Sequence, residues 1–266
     1  MRLPSGDARR AVFAPLDDGA MRSEAVVRRL GSAIALGIIV DGEQLPAEQQ
    51  LAASLNVSTV TLREALSDLR SRGLVDTRRG RGGGSFVRAS EGALVELSRG
   101  RLGELASTDL RELGDARTAV SGTAARFAAE RASTGEIGRL SETLDRLAAA
   151  SGGTARRRIE GRWFIDVAAA AQSVRLTREE IELQFELGQL LWGVGPTEAD
   201  PTATVAGHRR VVDAIAARDG ELARRLTEEH VALVTARLVD AHMRIVRRDR
   251  RGPAPTPHTY PEAAGS

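Results

Sequence analysis

Apolar residues recur at three- and four-residue spacing along most of this chain, and one segment interrupts that rhythm with a two-residue period. Leu51, Ala52 and Leu55 mark one face of a short helix, with Pro46 suited to its first turn and Glu48 near its positive end. Asn56 can close that helix in a left-handed turn, after which Val57 re-enters the core. Ser58 is a good N-cap for a second helix, whose buried face is Leu62, Ala65, Leu66 and Leu69 and whose stop is Gly73. Leu74 and Val75 then start a strand, Ser85, Phe86 and Val87 finish one, and RRGRGGG forms the tip between them. The pattern predicts a helix–turn–helix followed by a β-hairpin wing.

Beyond residue 88 a linker is followed by a helical pattern that runs to about residue 247. Residues 89–105 read as a linker containing a short helix. Helices are predicted near 107–132, 135–150, 155–173, 176–192, 202–218 and 219–246, punctuated by Gly135, the SGG at 151–153 and the GVGP at 193–196. Antiparallel helices with short connections make an all-α bundle. The expected fold class is therefore mainly α: an N-terminal winged helix-turn-helix with a small β-wing, then a C-terminal helical bundle. The expected domains are a disordered segment at 1–20, the winged helix at 21–88, the linker, the bundle at 106–247 and a disordered tail at 248–266.

Composition sharpens this picture. The 266 residues suffice for two domains, and eight aromatics among them leave the core to Ala, Val and Leu. There is no cysteine, hence no disulfide framework and no thiol nucleophile. No apolar run reaches the ~18 residues of a membrane span, and MRLPSGDARR lacks the apolar stretch of a signal peptide, so a soluble, cytoplasmic chain is expected.

The basic charge is concentrated. From Val57 to Arg88 seven arginines face Glu64, Asp68 and Asp76, a local +4 in a chain whose total is +2. With the apolar face of the second helix buried, Thr59, Val60, Arg63 and Thr61 are left for a major groove. There an arginine can grip guanine bidentately and a threonine can meet a thymine methyl. Arg78, Arg79 and Arg81 on the wing suit phosphates or a narrow minor groove, and Gly82 lets backbone approach closely. Together these features predict binding to double-stranded DNA. An enzyme is not expected. GRGGGS lacks the GK[ST] ending of a phosphate loop and leads into a strand, and four histidines leave few general bases.

These residues resemble the N-terminal domain of GntR-family bacterial transcription regulators over roughly residues 22–88. The likeness is carried by Leu45-Pro46 with Glu48, by Val57-Ser58 with Thr61, Arg63, Glu64, Ala65 and Leu66, and by Gly73-Leu74-Val75 with Gly80, Gly82, Phe86 and Val87. It implies DNA contacts from Glu48, Gln49, Ser58, Thr59, Thr61, Arg63, Arg78, Arg79, Arg81 and Gly82. Gln49 and Thr59 stand where the family usually has arginines, so a different operator, or more affinity from the wing, is implied.

The remainder resembles the FCD ligand-binding domain of the FadR-type branch. Residues 109–133 are similar to its opening helix, 160–176 to its acidic-then-aromatic stretch and 208–231 to its closing helix pair. The family usually has a glutamate near Ser121, which is absent here. The resemblance implies an effector site at Arg117, Glu160, His208 and His230, and a divalent metal such as zinc on Glu160, His208 and His230. Phe164 replaces one expected histidine ligand. Without a metal the same cavity would bind an organic acid through Arg117, His208 and His230, since an arginine fork suits a carboxylate. Alternatively Arg117 pairs with Asp115 or Glu160, and the histidines are hydrogen-bonded core residues. Trp163 and Trp192 would line the pocket or belong to the core. The functional expectation is a sequence-specific regulator, a repressor by family habit, acting as a homodimer on a near-palindrome and controlled by a small-molecule effector. The other possibility is an architectural DNA-binding protein whose helical domain only dimerises.

Overall fold

The computed structural model describes residues 12–13, 15–16, 22–80, 82–88, 90–194 and 201–251. Arg81 and the tail beyond residue 251 lie outside the described residues, as does most of the segment expected to be disordered at the N-terminus. Within that segment, however, Val12 is fully buried and the Leu16 N–H donates to the Leu55 carbonyl at 3.1 Å. Apolar residues in that segment form no period, yet Val12, Phe13 and Leu16 pack against the core of the winged helix.

The N-terminal unit comprises α1 (Arg22–Ala35), α2 (Glu48–Leu55), α3 (Thr59–Ser71) and the antiparallel strands β1 (Val75–Arg78) and β2 (Gly84–Val87). Helix α2 begins after Ala47, whose ψ of 142° is extended, so Pro46 precedes the first turn instead of occupying it. Asn56 does end α2 in the left-handed region, at φ 55° and ψ 44°. Ser58 caps α3 by accepting from the Thr61 N–H, and Leu62, Ala65, Leu66 and Leu69 are buried. Val75 pairs with Val87 and Arg78 with Gly84 across the hairpin. A third backbone run joins β2 from the other side. Leu45 N–H donates to Ser85 O, Val87 N–H donates to Glu43 O, and the Gln44 amide donates to Gly83 O at 3.0 Å. The wing is thereby tied to the chain that enters α2.

The helical unit follows as α4 (Glu91–Glu104), α5 (Ser107–Arg131), α6 (Thr134–Ala149), α7 (Gly153–Ala170), α8 (Val174–Leu191), a 3₁₀ turn at Trp192–Val194, α9 (Pro201–Ala216) and α10 (Gly220–Arg251). The 89–105 connection is thus mostly a fourteen-residue helix, and it is packed. Leu94, Leu97 and Leu102 are buried, Ser98 donates to the Leu190 carbonyl at 2.7 Å, and His242 Nδ1 meets the Leu102 carbonyl at 2.8 Å. Helix α5 lies along α10 and buries Ala124, Ala125, Ala128 and Ala129, small side chains that permit close approach.

The two units share apolar packing. Val26, Leu30 and Ile34 of α1 belong to one buried cluster with Ile165 of α7, Ile181 and Phe185 of α8 and Trp192. At the end of α1, Leu36 rests in a notch formed by two glycines. A Cβ on Gly188 would lie 3.0 Å from Leu36 Cδ2, and one on Gly161 would lie 3.1 Å from the same atom. Arg158 donates to the Ile34 carbonyl at 3.4 Å beside this notch.

Candidate nucleic-acid interface and metal centre

Burying one face of α3 turns the other outward. Ser58, Thr59, Val60, Arg63 and Glu64 are exposed, Val60 keeping 63% of its surface. Thr61 is half-buried, its hydroxyl 2.8 Å from that of Ser58. Arg63 is held from below. Its Nε donates to Glu48 Oε2 at 2.7 Å, which ties the guanidinium to α2. Glu48 therefore positions Arg63, while Gln49 beside it is exposed. On the wing, Arg78 lies over the Phe86 ring at 4.2 Å, and Arg79, Gly80 and Gly82 are exposed. The structure brings the α3 residues and the wing residues other than Arg81 to one unit, as a helix with an adjacent basic hairpin.

The second constellation is built by four helices. α5 supplies Arg117, α7 supplies Glu160 and Phe164, α9 supplies His208 and α10 supplies His230. His208 Nε2 lies 3.4 Å from Glu160 Oε1, and His230 Nε2 lies 3.1 Å from the same oxygen without making a hydrogen bond. The imidazole rings are 4.4 Å apart, and Trp163 stacks on His208 at 4.0 Å. One ligand atom from each of the three residues lies within 4.8 Å of the others. Two ring nitrogens and a carboxylate oxygen at this spacing require a proton or a cation between them. Zinc bonds of ~2.0–2.2 Å in a tetrahedron would set donor atoms about 3.3 Å apart, so the observed 3.1 and 3.4 Å suit such an ion. Phe164 closes one side, its ring 5.6 Å from each imidazole.

Electrostatics follow from this enclosure. Burial alone would raise the Glu160 carboxyl, yet its contacts with His208 and His230 hold it well below the usual carboxylate range. Burial pushes the His208 imidazole down against the pull of Glu160. Burial likewise lowers Arg117, against the attraction of Glu180 and Glu160.

Arg117 is 1% exposed, and its Nε, Nη1 and Nη2 are buried without a hydrogen-bond partner among the described residues. It pairs neither with Asp115, which is exposed, nor through hydrogen bonds with Glu160. With Glu160 and His230 it lines a cavity of about 230 Å³. Trp163 and Trp192 do not line that cavity; each is buried in an apolar cluster. Sequence reasoning missed the support behind Arg117. Ser121 donates to Glu180 Oε2 at 2.8 Å, and Gln184 donates to Glu180 Oε1 at 2.8 Å, with all three buried. The carboxylate absent from α5 near Ser121 is thus provided by α8. The only sequence signal for it was a Glu–Gln pair at helical i,i+4 spacing.

Comparison with known proteins adds two family matches. Residues 22–85 match the bacterial regulatory proteins of the gntR family, and residues 112–233 match the FCD domain. The chain is 36% identical over 247 residues to the HTH-type transcriptional regulator RmpR of Mycobacterium gastri, covering 92% of this chain and 89% of that protein. It is 28% identical over 205 residues to an Escherichia coli protein named as an L-lactate dehydrogenase operon regulatory protein, covering 73% of this chain and 77% of the relative. The solved structure of E. coli McbR/YncC is 17% identical and aligns with 87% of this chain and 100% of its own, at a TM-score of 0.46.

Proposed function

This chain belongs to the GntR family of bacterial regulatory proteins, with an FCD domain behind its winged helix, and from that premise we propose a repressor whose grip on operator DNA is set by a small carboxylate. It is a DNA-binding transcription regulator and not an enzyme. The observation that carries the effector reading is Arg117. A fully buried guanidinium with all its nitrogens unpartnered is costly unless an anion completes it. A carboxylate matches its planar fork. Glu160, His208 and His230 would hold a divalent cation such as zinc beside it, and that ion would offer a Lewis-acid contact to an acid oxygen. A relative named for an L-lactate dehydrogenase operon supports a regulator concerned with small acids.

The DNA contacts assigned to this reading are Glu48, Gln49, Ser58, Thr59, Thr61, Arg63, Arg78, Arg79, Arg81 and Gly82. Two such units in a cytoplasmic homodimer would read a near-palindrome, with α3 in successive major grooves. No described helix is long and apolar enough to cross a membrane. Coupling between effector and DNA runs through a single thickness of side chain. Gly161 lines the cavity on one side and receives Leu36, from the end of α1, on the other. Effector that shifts α7 would thereby move the DNA-binding unit, and DNA would in turn alter effector affinity by the same factor.

An architectural protein that merely dimerises would leave the bundle interior apolar. The convergence of Arg117, Glu160, Glu180, His208 and His230 favours the effector reading over it. The test is a footprint on the DNA upstream of the gene, titrated with salt and then with zinc and short organic acids. A protected near-palindrome released by an acid supports the proposal. Protection without sequence preference, indifferent to acids, would overturn it in favour of the architectural role.

A further inference from the structure

The cavity around Arg117 is lined by four arginines, Arg117, Arg156, Arg157 and Arg237, and by one carboxylate, Glu160. Their burial differs. Arg117 is enclosed at 1% exposure, whereas Arg156 on α7 and Arg237 on α10 are half-buried, which sets them nearer the rim. Arg157 is committed, lying over Trp192 at 4.9 Å and drawn toward Glu91 and Glu160. Among the described residues Arg156 and Arg237 make no ion pair with a carboxylate, and Arg156 Nε is buried without a hydrogen-bond partner.

Charge then limits what can fill the space. With Arg157 drawn to Glu91 and Glu160, and Glu180 set behind Arg117, the two arginines nearer the rim, Arg156 and Arg237, are left without a carboxylate among the described residues. One carboxylate would leave a net cation in a partly desolvated cavity, and a bound divalent ion would increase that excess. Two anionic groups would balance the protein's own charge. The arginines also stand at different depths, so a single compact anion at Arg117 would leave those at the rim unanswered.

We infer that the effector carries two separated acidic groups, one gripped by Arg117 at the enclosed end and the other met by Arg156 and Arg237 at the rim. This rests on the cavity being the effector site. Its volume of about 230 Å³ lies below the ~300–1,000 Å³ of drug-sized sites, which points to a short dicarboxylic acid of about four carbons.

Calorimetric titration of the full chain with succinate, butyrate and inorganic phosphate tests it. Succinate and butyrate share a carbon chain and differ by one carboxylate. A charge-assisted contact at a half-exposed rim is expected to make succinate about tenfold tighter, the lower end for such bonds. The double variant Arg156→Gln, Arg237→Gln should bring the succinate-to-butyrate ratio to within about twofold of one. Both positions are half-exposed, so the variant should fold, and unchanged thermal unfolding checks this. Equal affinities for succinate and butyrate, both lost in Arg117→Gln, would overturn the two-ended arrangement while leaving the effector pocket standing. Phosphate binding as well as succinate would also overturn it, in favour of a one-point anion site. Failure of all three to bind at tens of millimolar would remove the effector reading together with this one.

Discussion

Replacing Gly188 with alanine sets two effects of opposite sign against each other. In a helix interior the exchange stabilises by about 0.8–1.0 kcal/mol, because glycine loses more backbone freedom on folding. Here the new methyl would lie 3.0 Å from both Cγ and Cδ2 of Leu36, so the leucine must retreat from a packed contact. Overpacking of that kind costs about 1–3 kcal/mol. The net expectation is a loss of about 0–2 kcal/mol in the native chain. In a Leu36→Ala background the obstacle is gone, and the same exchange should stabilise by about 1 kcal/mol. The double-mutant cycle therefore yields an interaction of about 1–3 kcal/mol. Urea unfolding followed by circular dichroism at fixed protein concentration measures it, since 1 kcal/mol moves the midpoint by roughly 0.3–1 M. An equal rise of the midpoint in both backgrounds would refute the glycine notch, and with it the route from cavity to winged helix.

Other consequences are more local. Arg63→Ala should weaken operator binding by about 1–3 kcal/mol and relax specificity, measured by mobility shift on operator and scrambled duplexes. Glu48→Ala frees Arg63 and removes a negative charge from the DNA side, so it should narrow the operator-to-scrambled ratio chiefly by raising scrambled binding. His208→Ala should leave operator affinity intact and abolish the thermal shift that zinc held by Glu160, His208 and His230 would produce; an unfolded variant would favour a purely structural histidine. Burial would raise the Glu136 carboxyl, but hydrogen bonds from the Ser133 backbone and hydroxyl and from Gln172 lower it below the usual range. Its contribution to stability is therefore present above its unfolded pKa of 4.5 and lost as pH falls through the folded value. Glu136→Gln should flatten the acid limb of the stability curve below about pH 5.

Features that depend on near neighbours could be read along the chain. The bundle helices, the Ser58 cap, the left-handed Asn56 and the arginine-rich hairpin were legible because each is set within a few residues by periodicity, capping chemistry or turn preference. Glu160, His208 and His230 were nominated through family resemblance, their spacing along the chain being uninformative; the bundle then set them around one oxygen. The third backbone run at Glu43–Leu45, the anchoring of Val12 and Leu16, the rescue of Ser121 by Glu180 and the glycine notch under Leu36 were decided by tertiary structure alone. Each joins residues tens to more than a hundred positions apart, and a glycine's use as space for a distant side chain leaves no local pattern. Arg117 shows the division most sharply. Its place on a helix was readable, but a buried guanidinium with no hydrogen-bond partner among the described residues is a property of everything packed around it.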